Sequence, residues 1–121
     1  MATLVDQAFF ARLKELDEQF AAGVPAMLER LRTLLALLDA AAPAAAVLGD
    51  IDQELHTIAG CAATFGFPAF GQQARSLEQQ LRVLMATGTM DAAAWPLWMG
   101  KLDAYLTWSE ADPRRDHYPD A

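Results

Sequence analysis

Apolar side chains recur at steps of three and four residues along most of this chain of 121 residues. That spacing places them on one face of an α-helix, whereas a half-buried strand needs them at every second position. Alanine and leucine are abundant, β-branched residues are few, and no alternating run appears. The pattern therefore predicts an all-α domain in which each helix buries one stripe.

Glycine and proline mark where the N-terminal helices begin and end. The first helix is predicted to begin near Asp6, a suitable N-cap, and to end at Gly23 and Pro25. The second begins there and reaches Leu38, and an alanine-rich connection around Pro43 follows it. The first helix is thus an addition on the N-terminal side of a four-helix core.

Three more helices are predicted after the alanine-rich connection. They cover roughly residues 44–65, with Gly66 as the stop, then residues 68–88, then a last helix that begins between residues 91 and 96. Short connections between long amphipathic helices favour antiparallel neighbours. The predicted fold is an antiparallel up-and-down four-helix bundle with an additional N-terminal helix.

The domain is predicted to span residues 1–108, and the polar, proline-containing residues 109–121 to form a flexible C-terminal tail. The tail holds the second histidine, His117, to which we assign no role. We assign the Trp95 and Trp98 pair of the last helix to core or half-buried packing.

The net charge of −7 argues against several classes of function. Phosphate backbones and anionic lipids both prefer a basic face, so we expect no nucleic-acid binding and no membrane binding. The single cysteine, Cys61, excludes an internal disulfide and a cysteine-based zinc cluster, and we predict no metal site. No signal segment and no apolar run of membrane-spanning length is found, so we expect a cytoplasmic protein.

One histidine, His56, lies off the apolar stripe of the predicted third helix. That stripe consists of Leu48, Ile51, Leu55, Ile58, Ala62 and Phe65. At about 100° per residue, the centre of the stripe is well away from His56, so the imidazole points out of the core. Its neighbours on the outer face are Gly49, Gln53, Gly60 and Ala63. Because all but one of them are small, we expect the ring to stand clear of its surroundings.

A glycine follows His56 by four residues, and Phe65 and Gly66 stand at the end of the same predicted helix. This segment resembles the histidine-containing phosphotransfer (HPt) domains of bacterial two-component phosphorelays. The family motif is His-x-x-Lys-Gly, then four residues, then an aromatic or aliphatic residue and glycine. His56, Gly60, Phe65 and Gly66 match it by position, and the likeness extends over roughly residues 4–107.

The chain departs from the family motif at Ala59, where the family commonly carries a lysine that is thought to help hold the phosphoryl group. We expect Arg75 or Arg82, on one flank of the fourth helix, to supply the missing positive charge. A glycine inside a helix, such as Gly60, lowers the stability of the helix by about 1 kcal/mol relative to alanine. We interpret the missing side chain at Gly60 as space for an approaching partner.

The resemblance implies a histidine phosphocarrier and not an enzyme, because the chain has no ATP-binding site and no autokinase activity is implied. His56 would accept a phosphoryl group from a receiver-domain aspartate and pass it to another receiver. The implied partners are a response-regulator receiver domain and a hybrid sensor histidine kinase. No cofactor is expected, since the receiver supplies Mg²⁺, and we expect the carrier to be a monomer.

The predicted receiver-docking surface surrounds His56 on the third and fourth helices. Its members are Gln53, Ala59, Gly60, Ala63, Arg75, Glu78 and Arg82. Ala59 keeps open an alternative, an HPt-like docking or scaffold module that binds a receiver or kinase without being phosphorylated. A purely structural bundle is a third reading, in which the two arginines are ordinary solvated charges paired with Glu78.

Overall fold

A computed structural model describes residues 4–88 and 91–119 of the chain. All regular structure in those residues is helical, which confirms the predicted all-α class. The four helices are α1 (Leu4–Leu37), α2 (Ala45–Cys61), α3 (Pro68–Thr87) and α4 (Ala94–Ala111). None of them, as far as the described residues go, combines the length and the apolar character that a membrane span requires.

The helices form a ring in which neighbours run in opposite directions. On α2 and α3, Asp52 contacts Arg82 while the later residue Ala59 contacts the earlier residue Arg75. The same reversal relates the pairs Phe70–Tyr105 and Leu77–Trp98 on α3 and α4, and the pairs Phe20–Phe65 and Arg30–Glu54 on the α1 and α2 sides. Because α1 also packs against α4, the ring closes into an antiparallel up-and-down bundle.

The additional N-terminal helix is wrong as a prediction, because α1 is one helix of 34 residues that passes through Gly23 and Pro25. The apolar stripe keeps its helical phase across this point, with Val24 and Leu28 only 3% and 5% exposed. Pro25 itself is exposed. Proline inside a helix costs about 3 kcal/mol, whereas burying one large aliphatic side chain contributes about 1.5–3 kcal/mol. Packing on both sides of Pro25 therefore outweighs the local break.

The N-terminal half of α1 extends past the rest of the bundle. Its 34 residues make a helix about 51 Å long, against about 25–30 Å for the 17–20 residues of each other helix. Phe20, in the middle of α1, stacks on Phe65 and contacts the Phe67 ring at the turn between α2 and α3. Asp6, the predicted N-cap, lies inside the first turn. The exposed apolar residues of this half include Val5, Phe9 and Phe10.

The second boundary that differs from prediction is the end of α2, which comes at Cys61 and not at Phe65. The chain turns over the next residues, where the Phe67 N–H donates to the Ala62 carbonyl oxygen at 2.8 Å. Gly66 adopts a φ of +89°, a left-handed conformation that glycine accepts without steric cost. The Phe-Gly pair thus belongs to the α2–α3 turn, and the helix ends one turn before it.

Both ends of α3 agree with the sequence. Pro68 is in the first turn of α3, and Gly88 caps that helix in the left-handed conformation with a φ of +55°. Trp98 is buried and donates its indole N–H to the Leu77 carbonyl oxygen at 3.1 Å, while Trp95 is half-buried. The predicted packing role of the two tryptophans is confirmed.

Helix α4 continues to Ala111, three residues past the predicted domain limit. After it, the Tyr118 ring packs against Trp108 with 5.1 Å between ring centroids, and the Arg115 guanidinium lies over the Trp108 ring, 4.7 Å from its centroid. The domain limit and the flexibility of the segment after it stay predictions.

Candidate functional site

The buried stripe of α2 sets the direction in which His56 points. Leu55 and Ile58 are fully buried in the core, whereas His56 is exposed and reaches Glu78 on α3. The two helices approach closely where α2 ends: a Cβ atom on Gly71 would lie 2.9 Å from the Cβ of Ala62. Glycine at position 71 is therefore required by the packing, and His56 lies at the edge of a tight α2–α3 seam.

His56 is tied to a buried carboxylate. Its Nδ1 atom lies 3.0 Å from Oε1 of Glu78, whose residue is only 3% exposed, while the His56 side chain is 56% exposed. Because a carboxylate can only accept, Nδ1–H is the donor and the lone pair of the neutral ring is on Nε2. The expectation that the imidazole stands clear of its surroundings is wrong on the α3 side, where the ring contacts Glu78. It is right on the other side, where the ring faces solvent.

The same carboxylate oxygen also forms an ion pair with Arg82. Nη2 of Arg82 lies 3.2 Å from Glu78 Oε1, and Nε of Arg82 lies 3.1 Å from Oδ1 of Asp52 on α2. The hydrogen bond and the charge of Asp52, with the charge of Glu78, raise the pKa of Arg82 above its usual value. The four side chains form a continuous chain of contacts, Asp52–Arg82–Glu78–His56, that crosses the seam between the helices.

The buried carboxylate of Glu78 is not fully satisfied. Its Oε2 atom is inaccessible to solvent and has no hydrogen-bond partner within the described part of the chain. A buried polar atom left in this state costs about 1–3 kcal/mol. Burial of Glu78 therefore does not maximise stability, and its other oxygen contacts His56.

The two arginines that were candidates for the positive charge lie in different places. Arg82 shares the Glu78 oxygen with His56. Arg75 is exposed and its Nη2 atom lies 3.4 Å from the Ala59 carbonyl oxygen, at the long limit of a hydrogen bond. Arg82 is thus part of the His56 cluster, and Arg75 lies on the rim of the same face, beside the position where the family carries its lysine.

The other predicted docking residues also lie on this face, with one difference in depth. Gln53, Gly60 and Ala63 are exposed and Ala59 is half-buried, whereas the Glu78 carboxyl lies beneath His56. Of the seven predicted residues, five are exposed, one is half-buried and one is buried, and their role in docking stays a prediction.

Gly60 has no structural reason to be glycine. A Cβ atom built on it meets nothing within 4 Å, and its φ is not in the left-handed range. Alanine would favour the helix by up to about 1 kcal/mol. Gly49 on α2 and Gly100 on α4 have the same open surroundings, whereas a Cβ on Gly71 would clash.

Asp52 was missed by reasoning from sequence. A signal for it exists, because Asp52 precedes His56 by four residues and therefore lies one helical turn away on the same face. Glu78 and Arg82 have the same spacing on α3. Two acid-containing pairs at this spacing on adjacent antiparallel helices are the pattern that predicts a network across the seam.

The comparisons with known proteins agree with this geometry. A family model, the Hpt domain, matches residues 11–108, which contain most of α1, all of α2 and α3, and most of α4. No curated protein and no solved structure gives a significant match. The matched region includes His56 and every residue of its cluster. The chain therefore belongs to the Hpt domain family, the helical phosphocarriers of phosphorelays, which have no kinase activity.

Proposed function

We propose that the protein carries a phosphoryl group on Nε2 of His56, accepting it from the aspartyl phosphate of one receiver domain and passing it to another. The observation that carries the proposal is the 3.0 Å bond between Nδ1 and Glu78, beside a side chain that remains 56% exposed. One nitrogen is held by the protein, and the other faces solvent with its lone pair.

The transfer step needs only this nucleophile from the chain. The Nε2 lone pair attacks phosphorus in line with the aspartyl oxygen, and the phosphorus–oxygen bond breaks with its electrons returning to the carboxylate. The ring gains positive charge as the nitrogen–phosphorus bond forms. The Glu78 carboxylate stabilises that charge by accepting the hydrogen bond from Nδ1–H. The same groups act in reverse when the phosphoryl group leaves for the next aspartate.

The phosphoryl group also needs a positive counter-charge. It brings about two negative charges at neutral pH, and Arg82 is the cation that shares an oxygen with His56. Arg82 therefore takes the role of the lysine that Ala59 replaces. The Mg²⁺ that assists the reaction comes with the receiver, whose acidic residues are the hard oxygen ligands that this ion prefers.

The docking surface for the receiver is the low rim around His56, formed by Gln53, Ala59 and Gly60 on α2, by Ala63 in the turn after it, and by Arg75 on α3. Small side chains there let the backbone of a partner approach the imidazole. Glu78 contributes through His56, because its own carboxyl is covered. The carrier acts as a monomer, and its partners are a response-regulator receiver and the receiver of a hybrid sensor kinase.

The test is a labelling experiment with receiver domains phosphorylated by ³²P-labelled acetyl phosphate. Wild-type protein is expected to take up label that is acid-labile and base-stable, which is the signature of a phosphohistidine. His56→Gln should take up none, and His117→Gln, which removes the second histidine, should label like the wild type. Label that survives His56→Gln would contradict the proposal.

Ala59 favours a second candidate, a docking module that binds a receiver or kinase without being phosphorylated. The two candidates differ in the same experiment. A receiver that binds the wild type tightly but leaves no label on it, even at long incubation, would establish the docking module and exclude the carrier.

A further inference from the structure

Asp52 places a negative charge close to the position that a phosphoryl group on His56 would occupy. It precedes His56 by one turn on the same face of α2, its side chain is only 23% exposed, and neighbours at this spacing have Cβ atoms about 5–6 Å apart. Its carboxylate oxygens receive Nε and Nη2 of Arg82 at 3.1 and 3.5 Å. The Asp52 carboxylate thus lies near His56 and also pairs with Arg82, the cation that a phosphoryl group on His56 needs.

Once His56 is phosphorylated, the anionic groups around Arg82 outnumber the cations. Arg82 already lies between the carboxylates of Asp52 and Glu78. The phosphoryl group becomes a third anionic partner for the same guanidinium. Arg75, the other arginine on this face, donates at 3.4 Å to the Ala59 carbonyl, one turn away on the opposite side of His56 from Asp52.

We propose that Asp52 is a positioning residue that competes with the phosphoryl group for Arg82, which destabilises the phosphohistidine and favours transfer to the next acceptor. Like-charge repulsion between Asp52 and the phosphoryl group acts in the same direction. The inference rests on the proposed function, since it needs a phosphoryl group on His56. It adds that Asp52 makes the chain hold the phosphoryl group weakly, which suits an intermediate that passes this group to another protein.

The test uses the full chain phosphorylated with potassium phosphoramidate, which transfers its phosphoryl group to histidine and releases ammonia. The first-order loss of phosphohistidine is followed by ³¹P NMR for the wild type, Asp52→Asn and Asp50→Asn. Asp50 lies on the same helix and is exposed, so its variant matches the change in charge without touching Arg82. We expect Asp52→Asn to lengthen the half-life about two- to fivefold, and Asp50→Asn to leave it within error.

A double-mutant cycle shows whether Asp52 acts through Arg82. Arg82→Ala should shorten the half-life, and Asp52→Asn should then lengthen it much less than in the wild-type background. A half-life for Asp52→Asn that is unchanged or shorter would overturn the inference, because Asp52 would then be orienting Arg82 for the phosphoryl group. Failure of phosphoramidate to phosphorylate His56 would instead remove the proposed function.

Discussion

Two faces of the bundle each carry an arginine that bridges two helices, and they use it differently. On the α1–α4 face, Arg32 donates to Glu110 at 2.8 Å and to Thr107 at 3.0 Å, and it also pairs with Asp103. On the α2–α3 face, Arg82 bridges two acids in a similar way. The residue types are alike, but only the second network ends on a nucleophile.

The difference lies in which acid is buried. Glu110 and Asp103 have side chains that are 44% and 59% exposed, so water completes their solvation. The Glu78 side chain is 4% exposed and has an oxygen without a partner in the described residues. A buried acid needs a donor and a counter-charge, and here Nδ1 of His56 is the donor and Arg82 is the counter-charge. One face is an interhelical clamp, and the other uses the same chemistry to orient an imidazole.

The largest effect should come from removing the buried charge. Glu78→Gln presents an amide that can donate to Nδ1, which places the ring proton on Nε2 and blocks the nucleophile. Loss of a hydrogen bond to a charged group is worth about 1.5–3 kcal/mol, or roughly 10- to 100-fold in rate. We expect that slowing in phosphoryl transfer from a receiver, measured by rapid-quench labelling.

The matched variant on the other face is Glu110→Gln, which breaks the Arg32 network and should leave the transfer rate unchanged. Equal slowing of both variants would show that the effect is general loss of stability and that the two faces do not differ in function. Circular-dichroism melting curves of both proteins check that each one is folded.

The next effect concerns the low surface beside His56. Gly60→Gln adds a side chain in open space, so the fold should tolerate it, but a receiver should approach less closely. Transfer from the receiver should fall about tenfold or more, which corresponds to about 1.4 kcal/mol, while labelling by the small donor phosphoramidate should not change. A loss of both kinds of labelling would place the defect in the histidine and not in docking.

A smaller effect distinguishes Arg82, on the α2–α3 face, from Arg32, on the α1–α4 face. Arg82→Ala should shorten the life of the phosphohistidine severalfold, because the counter-charge to the phosphoryl group is lost. Arg32→Ala should leave that lifetime unchanged. Arg75→Ala is a useful third variant, since Arg75 lies on the same face but outside the cluster. If Arg75→Ala has the larger effect, the cation has been assigned to the wrong arginine.

The smallest effect is on the stability of the α1–α4 clamp. Arg32→Met should lower the free energy of unfolding by at most about 1 kcal/mol, because these side chains are partly exposed and water screens the pair. The hydrogen bond from Arg32 lowers the pKa of Glu110 below its usual value. The stabilisation is therefore complete above the pKa of an unfolded glutamate and is lost as the pH falls through the lower, folded value.

Urea denaturation at pH 7 and pH 3 measures this. The difference between the wild type and Arg32→Met should shrink on acidification, as the pH falls through the lowered pKa of Glu110. A difference that grows on acidification has the wrong sign for a depressed carboxyl pKa, and would show that Arg32 stabilises α4 by other contacts.

Much of this fold follows from periodicity alone. The stripe of α2 fixes the outward direction of His56, and Pro68 and Gly88 mark both ends of α3. Pro25 misleads because a proline signals a local break, while the decision belongs to the packing of the residues on either side. Phe65 misleads in a similar way, since it continues the stripe in sequence after the helix has turned.

The site is less readable from sequence than the fold. His56, Gly60 and the α3 arginines are visible in a motif and in spacing. The burial of Glu78 is not, because an acid on the flank of a helix is normally solvated and becomes buried only where a neighbouring helix covers it. The pairing of Arg82 with Asp52 likewise depends on the register between α2 and α3.

The most direct test is the identity of the nitrogen that carries the phosphoryl group. Protein labelled with ¹⁵N-histidine is treated with phosphoramidate, and long-range ¹H–¹⁵N correlation spectra identify the substituted nitrogen of His56. We expect phosphorus on Nε2, with Nδ1 still hydrogen-bonded to Glu78. Phosphorus on Nδ1 would contradict the role of Glu78, because that nitrogen is the one the carboxylate holds.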